Sequence, residues 1–295
     1  MLVRLRDDHV RARTAASNQL TAMLDAYWPG PRQLFVSLTS PIALSFLTDY
    51  PTPARAAHLA EARMAAFLRR HHYRGGKTPA QLVARLRAAP VAPAGLPTAT
   101  LAAMVTAQVQ LLRTLQQLIS DTERLIAARV LAFPRTRVLA DLPGVGMINL
   151  AQLLAEVCPI LDRVDSAEQA ATECGAAPVT RASGKTSGVY FRWAANTRAR
   201  KAITSFAHNA RLQDSWAAKL YADARARGKR HPHATRIVAR AWLRVIWACW
   251  TTQQPYDPSR HRTSTSSHPA GSSTASQPCR RAGGVKMEHP TAERP

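Results

Sequence analysis

The chain has 295 residues, 46% of them apolar, and a formal net charge of +22 from 40 Lys and Arg against 18 Asp and Glu. That apolar content excludes a wholly disordered chain and suffices for one large core or two small ones. So basic a chain has a polyanion as its expected partner, nucleic acid first, because each Lys or Arg set on a phosphate releases condensed counterions.

The first residues, MLVRLRDD, enter a charged amphipathic pattern at once, unlike the apolar stretch of a signal peptide. The uncharged run between Arg32 and Asp49 contains Pro41 and falls short of the roughly 20 apolar residues that span a bilayer. A cytoplasmic protein with no membrane partner is expected. Strand signals are scarce, and apolar residues recur at three and four with Ala, Leu, Arg and Gln between them, which predicts a mainly α fold. Residues 2–28 read as a first helix stopped by the WPGP breaker at 28–31. Residues 56–72 read as a second, ended by Gly75 and Gly76, and a shorter one follows around 79–88.

From 98 to 132 the apolar spacing tightens to a 4-3 alternation through Met104, Gln108, Leu111, Leu115, Leu118, Thr122 and Leu125, the seam of a coiled coil or of a long antiparallel hairpin. Heptads alone do not choose between packing within the chain and a homo-oligomer seam, and both stay open. Residues 1–133 are accordingly read as a helical and coiled-coil region, 134–258 as a compact helical domain, and 259–295, rich in Ser, Thr, Pro and His, as a disordered tail. Cys158, Cys174, Cys249 and Cys279 stand singly, without the spacing of a disulfide framework or a zinc knuckle, and no metal site is expected in this chain.

Residues 141–156, DLPGVGMINLAQLLAE, have the form of a helix-hairpin-helix: the turn Gly144, Val145, Gly146 would aim backbone amides at a phosphate from the N-terminus of the next helix. A tight interhelical turn without ligand fits the same residues. The segment 174–192, CGAAPVTRASGKTSGVYFR, contains a Gly-Lys-Thr, but a phosphate-binding P-loop needs glycine where Val179 stands. That leaves Ser183 beside Arg181, Lys185 and Arg192, where a hydroxyl could attack a phosphodiester while cations stabilise the developing charge. Read alone, a Ser-Gly turn is structural, and Ser187 is a second candidate. From 181 to 250 there are fifteen Lys and Arg against Asp214 and Asp223. Arg236, Arg240 and Arg244 form one stripe on a helix whose other face carries Val238, Trp242 and Ile246. Three such charges repel unless an anion lies between them, which points to nucleic acid.

With these residues in view the chain resembles the insertion-sequence 110/116/902 transposase family, the bridge-RNA-guided serine recombinases. RDDHVRAR at 6–13, YPTP at 50–53, LPGVG at 142–146, GAAP at 175–178 with RASG at 181–184, and ARGK at 226–229 carry the resemblance. It implies that Ser183 is the nucleophile of a DNA transposase, with DNA, a guide RNA and other protomers as partners. The family also has an N-terminal RuvC-like domain whose four acidic residues hold Mg²⁺. The sequence is expected to begin after that domain, and so to recombine DNA weakly or not at all by itself. The alternative is a basic helical module that holds nucleic acid without catalysis.

Overall fold

A computed structural model describes residues 1–258 except 92–94, 96, 184 and 185, so the tail at 259–295 lies outside the described residues. The fold is mainly α, as the periodicity predicts. Seven helices come first: α1 (Leu2–Tyr27), α2 (Gly30–Leu34), α3 (Pro41–Asp49), α4 (Pro53–Ala56), α5 (Glu61–Arg70), α6 (Pro79–Ala88) and α7 (Thr98–Ala132). Three of the short helices, α3, α4 and α6, start where the sequence writes Ser-Pro or Thr-Pro. Ser40, Thr52 and Thr78 accept from the backbone N–H of Ala43, Arg55 and Gln81, and a proline with no N–H to satisfy follows each. Gln81 reaches back to the Thr78 N–H and closes a capping box.

Helices α1 and α7 run antiparallel. Gln108 donates to the Ala16 carbonyl at 2.7 Å and Arg6 to Glu123 at 2.7 Å, while Val3 packs with Ile126 and Val130. The long-hairpin reading of 98–132 therefore holds, but on a different line of residues. The buried face of α7 is Leu101, Val105, Val109, Leu112, Leu115, Ile119, Thr122, Ile126 and Val130. Met104, Leu111, Leu118 and Leu125, seven residues apart, are exposed. Of the predicted seam only Leu115 and Thr122 are buried, and Gln108 sits at its edge.

Residues 1–256 form one compact unit with two hydrophobic clusters. One gathers the C-terminal half of α1, the first part of α7 and helices α2, α3, α5 and α6 around Leu24, Trp28, Phe46 and Met64. The other joins the opposite ends of α1 and α7 to apolar residues between Val138 and Tyr256. The second half holds α8 (Met147–Gln152), α9 (Cys158–Leu161), α10 (Ala167–Glu173), strands β1 (Val179–Ser183) and β2 (Thr186–Tyr190), α11 (Thr197–Gln213), α12 (Ser215–Ala226) and α13 (His231–Thr252). Between α8 and α9, residues Leu153–Val157 widen into a π turn. Pro159 explains it: the ring has no N–H and crowds the carbonyl four residues back.

Phe206 and Ala210, Trp216 and Leu220, whose spacing suits one apolar helix face, fall on two helices, α11 and α12. Asp214 leaves helical geometry and its carboxylate accepts from the Ala217 N–H at 2.8 Å, capping α12. Gly228, with φ +75°, follows the end of α12. Helices α11, α12 and α13 close around Trp242, whose ring meets Phe206, Trp216 and Tyr256 at centroid distances of 5.3, 5.2 and 5.6 Å.

Candidate nucleic-acid interface

The turn before α8 is built as a tight approach of backbone to backbone. Gly144 has φ +71°, and a Cβ there would stand 3.0 Å from the Asn209 carbonyl oxygen of α11. Only glycine meets both conditions at no cost. Asn149 ties α8 to the same helix by donating to the Ala202 carbonyl at 3.1 Å. Val145 is half-buried and its N–H closes the turn on the Leu142 carbonyl; Gly146 is the extended residue from which α8 starts. No described side chain caps that start. Ahead of the turn stands a short 3-10 turn, Pro134–Val138, where a full helix-hairpin-helix would place its first helix.

Ser183 is the last residue of β1, exposed, and paired in register with Thr186. It stands at the far end of an antiparallel hairpin whose other end pairs Val179 with Tyr190. Five residues of strand carry it ~13 Å beyond that base. Arg181 belongs to β1; Lys185 lies outside the described residues.

At the base of the hairpin the chain enters the basic cluster. Phe191 follows β2 directly, and the guanidinium carbons of Arg200 on α11 and Arg236 on α13 both lie 4.6 Å from its ring centre. Arg200 is clamped there: its Nη2 donates to the Arg192 carbonyl at 2.7 Å, and a Cβ at Gly175, φ +66°, would overlap its guanidinium. The Nε atoms of Arg192 and Arg200 are buried with no hydrogen-bond partner among the described residues. No described carboxylate pairs with Arg192, Arg200 or Arg236. Burial, and after it the Arg200 charge, lowers the Arg236 pKa from its ordinary value.

The rest of the predicted stripe has a different environment. Glu168 of α10 accepts from Arg240 Nε at 3.0 Å and from Arg244 Nη2 at 2.6 Å, one carboxylate oxygen for each arginine. The anion between these two like charges is thus the protein's own, and the repulsion argument for an external one reduces to Arg236. Hydrogen bonds from Arg240 first, then Arg244, hold the Glu168 pKa below the usual carboxylate range. Arg200 and Phe191 are the residues that motif reading passed over. The signal was an aromatic immediately after the serine block, with Arg200 in the next helix to meet it.

The family's Mg²⁺ would need a cluster of carboxylates beside the serine. Among the described residues no three His, Cys, Asp or Glu side chains come together as such a group, and the acids of α10 are engaged by arginines, Glu173 by Arg163 and Glu168 by Arg240 and Arg244. The described residues do not fit that ion. No helix among them is long and apolar enough to cross a membrane.

Comparison with known proteins points to the same family that the motifs resemble. Residues 136–222 match the model of the Transposase IS116/IS110/IS902 family. The chain is 30% identical over 277 residues to the "Mini-circle putative transposase for IS117" of Streptomyces coelicolor, which covers 88% of this chain and 64% of that protein. It is 32% identical over 218 residues to the 42 kDa protein of insertion element IS900 of Mycobacterium paratuberculosis, covering 73% of this chain and 54% of the relative. It is also 27% identical over 267 residues to the 44.8 kDa protein of insertion element IS116 of Streptomyces clavuligerus. The chain therefore spans between about half and two thirds of the length of these relatives.

Proposed function

We propose that this chain works on DNA as an insertion-sequence transposase, with Ser183 as the attacking nucleophile. One observation carries the reading. The matched family segment holds the exposed serine at the end of a hairpin whose base is anchored in a cluster of arginines without carboxylate partners. In the reaction Ser183 Oγ bonds to the phosphorus of a DNA strand as the bond from phosphorus to one deoxyribose oxygen breaks. The serine proton leaves with that oxygen as a strand hydroxyl. The phosphodiester is exchanged for a phosphoserine ester, so the reverse attack by another strand's hydroxyl rejoins DNA without an outside energy source. Guanidinium groups near the strand hold phosphate charge. The turn at Gly144, Val145 and Gly146 offers a second contact, through backbone amides that read no sequence. Guide RNA and further protomers complete the proposed assembly, the latter on the exposed line of Met104, Leu111, Leu118 and Leu125.

The test is a protein–DNA adduct on a denaturing gel, from the chain mixed with labelled element-end DNA, guide RNA and Mg²⁺. The proposal expects an adduct that disappears in Ser183→Ala while DNA binding is retained. The second reading, a basic module that binds without cutting, is favoured by the missing carboxylate cluster among the described residues. It takes over if DNA binds with steep salt dependence and the two proteins behave alike on the gel.

A further inference from the structure

Two cavities share one wall, and that wall is Phe191 with Arg236. The first, about 700 Å³ and open, lies between α11 and the start of α13, and hydroxyl and amide side chains such as Thr204, Ser205, Asn209 and Thr235 line it beside Arg200 and Lys201. The second, about 480 Å³, lies between the backbone of residues 175–178 and α13. Its walls alternate between apolar groups, among them Pro178, Leu220, Ile237 and Ala241, and the cations Arg192, Arg236, Arg240 and Arg244, of which the last two are paired with Glu168. Neither lining contains an Asp or a Glu.

These two linings fit different parts of one ligand. Hydroxyls, amides and cations along an open groove are the groups that hold a sugar-phosphate backbone without reading sequence. The neighbouring cavity is far larger than a phosphate and falls among pockets that bury small organic molecules, roughly 300–1,000 Å³. Its mixture of guanidinium and apolar surface suits a base attached to a phosphate, since bases stack on aromatic rings and on guanidinium planes alike. A paired base in a duplex cannot enter such a recess without being unstacked, whereas an unpaired one can.

We propose that the α11–α13 groove carries the backbone of a nucleic-acid strand and that the adjoining cavity receives one unpaired nucleotide from it, with Phe191 and Arg236 as the divider between backbone and base. The guanidinium groups of Arg192, Arg200 and Arg236, which line these cavities and pair with no described carboxylate, are the cations left for its phosphate. The nucleotide sits near the hairpin base, ~13 Å from Ser183 by the length of the strand between them. An unpaired base is therefore held a short distance from the phosphate that Ser183 would attack. This inference rests on the reading of the surface as a nucleic-acid interface and adds what the interface selects.

The experiment measures equilibrium binding of the full chain, without Mg²⁺, to a short labelled oligothymidylate, the matching oligouridylate and a duplex of equal length. Ala241→Phe fills the cavity from α13 without removing a cation, and circular dichroism with thermal melting checks that the variant folds. The expected result is a loss of roughly tenfold in single-strand affinity, with the duplex changed less than about twofold. Phe191→Ala should weaken the same strands while sparing the duplex. Comparison of the thymidylate and uridylate arms shows which kind of strand supplies the nucleotide. If the folded Ala241→Phe variant binds single strands as tightly as the parent, the nucleotide pocket is wrong while the nucleic-acid reading stands. If no oligonucleotide binds the parent chain, the underlying reading fails as well.

Discussion

Glu168 sets the charge of the arginine stripe more than any other single residue. By pairing with Arg240 and Arg244 at once it removes two guanidinium groups from the free cationic surface and leaves Arg192, Arg200 and Arg236 as the unneutralised set. Glu168→Gln keeps the shape and deletes the charge. It should tighten DNA binding and steepen its dependence on salt, by up to about 1.8 in the slope of log K against log salt if both arginines move to phosphates. Anisotropy titrations at several salt concentrations would show this, and an unchanged slope would mean that neither arginine reaches DNA. The half-exposed ion pairs are worth only ~0.5–1 kcal/mol of stability. Because the folded pKa of Glu168 is lowered, that contribution is complete above the ordinary carboxylate value of 4.5 and disappears as pH falls through the lowered one. Parent and variant should therefore converge in urea stability at acidic pH. The sequence does not show this pairing, because 72 residues separate Glu168 from Arg240 and only the packing of α10 on α13 joins them.

At the scale of elements, α6 and α7 end where the sequence places them, since proline and cap residues act locally. Which face of α7 is buried was not legible. The helix carries apolar residues on both the true contact line and the strict heptad line, and only the partner α1 decides between them. Leu112 is fully buried and Leu111 exposed, although they are adjacent. Leu112→Ala should cost about 2–5 kcal/mol in urea unfolding, whereas Leu111→Ala should stay within about 0.5 kcal/mol. A larger cost for Leu111→Ala than for Leu112→Ala would show that α7 packs by the other line. The hairpin β1–β2 was missed for a related reason. Each strand is five residues long, too short for alternation to stand out beside helical segments, and the Ser-Gly-Lys-Thr stretch drew the eye as a turn. Ser183 was named on chemistry and resemblance; that it ends a strand came from the fold.

For the whole molecule, two long antiparallel helices join two hydrophobic clusters, and Phe191, the arginines around it and Ser183 all lie in the part of the chain that supplies most of the second. The net charge of +22 pointed to a polyanion but not to its place, because charge counts carry no position. The mainly α class and the transposase likeness could be read along the chain. The Phe191 cluster and the adjoining cavities could not, since they are assembled from the hairpin end, α11 and α13.

The most direct measurement is to digest the protein–DNA adduct and locate the nucleotide-bearing peptide by mass spectrometry. The account predicts a single modified residue, Ser183, and no adduct from Ser183→Ala. A nucleotide on Ser187 or on any other side chain, or no adduct from the parent chain under conditions where DNA is bound, would contradict it.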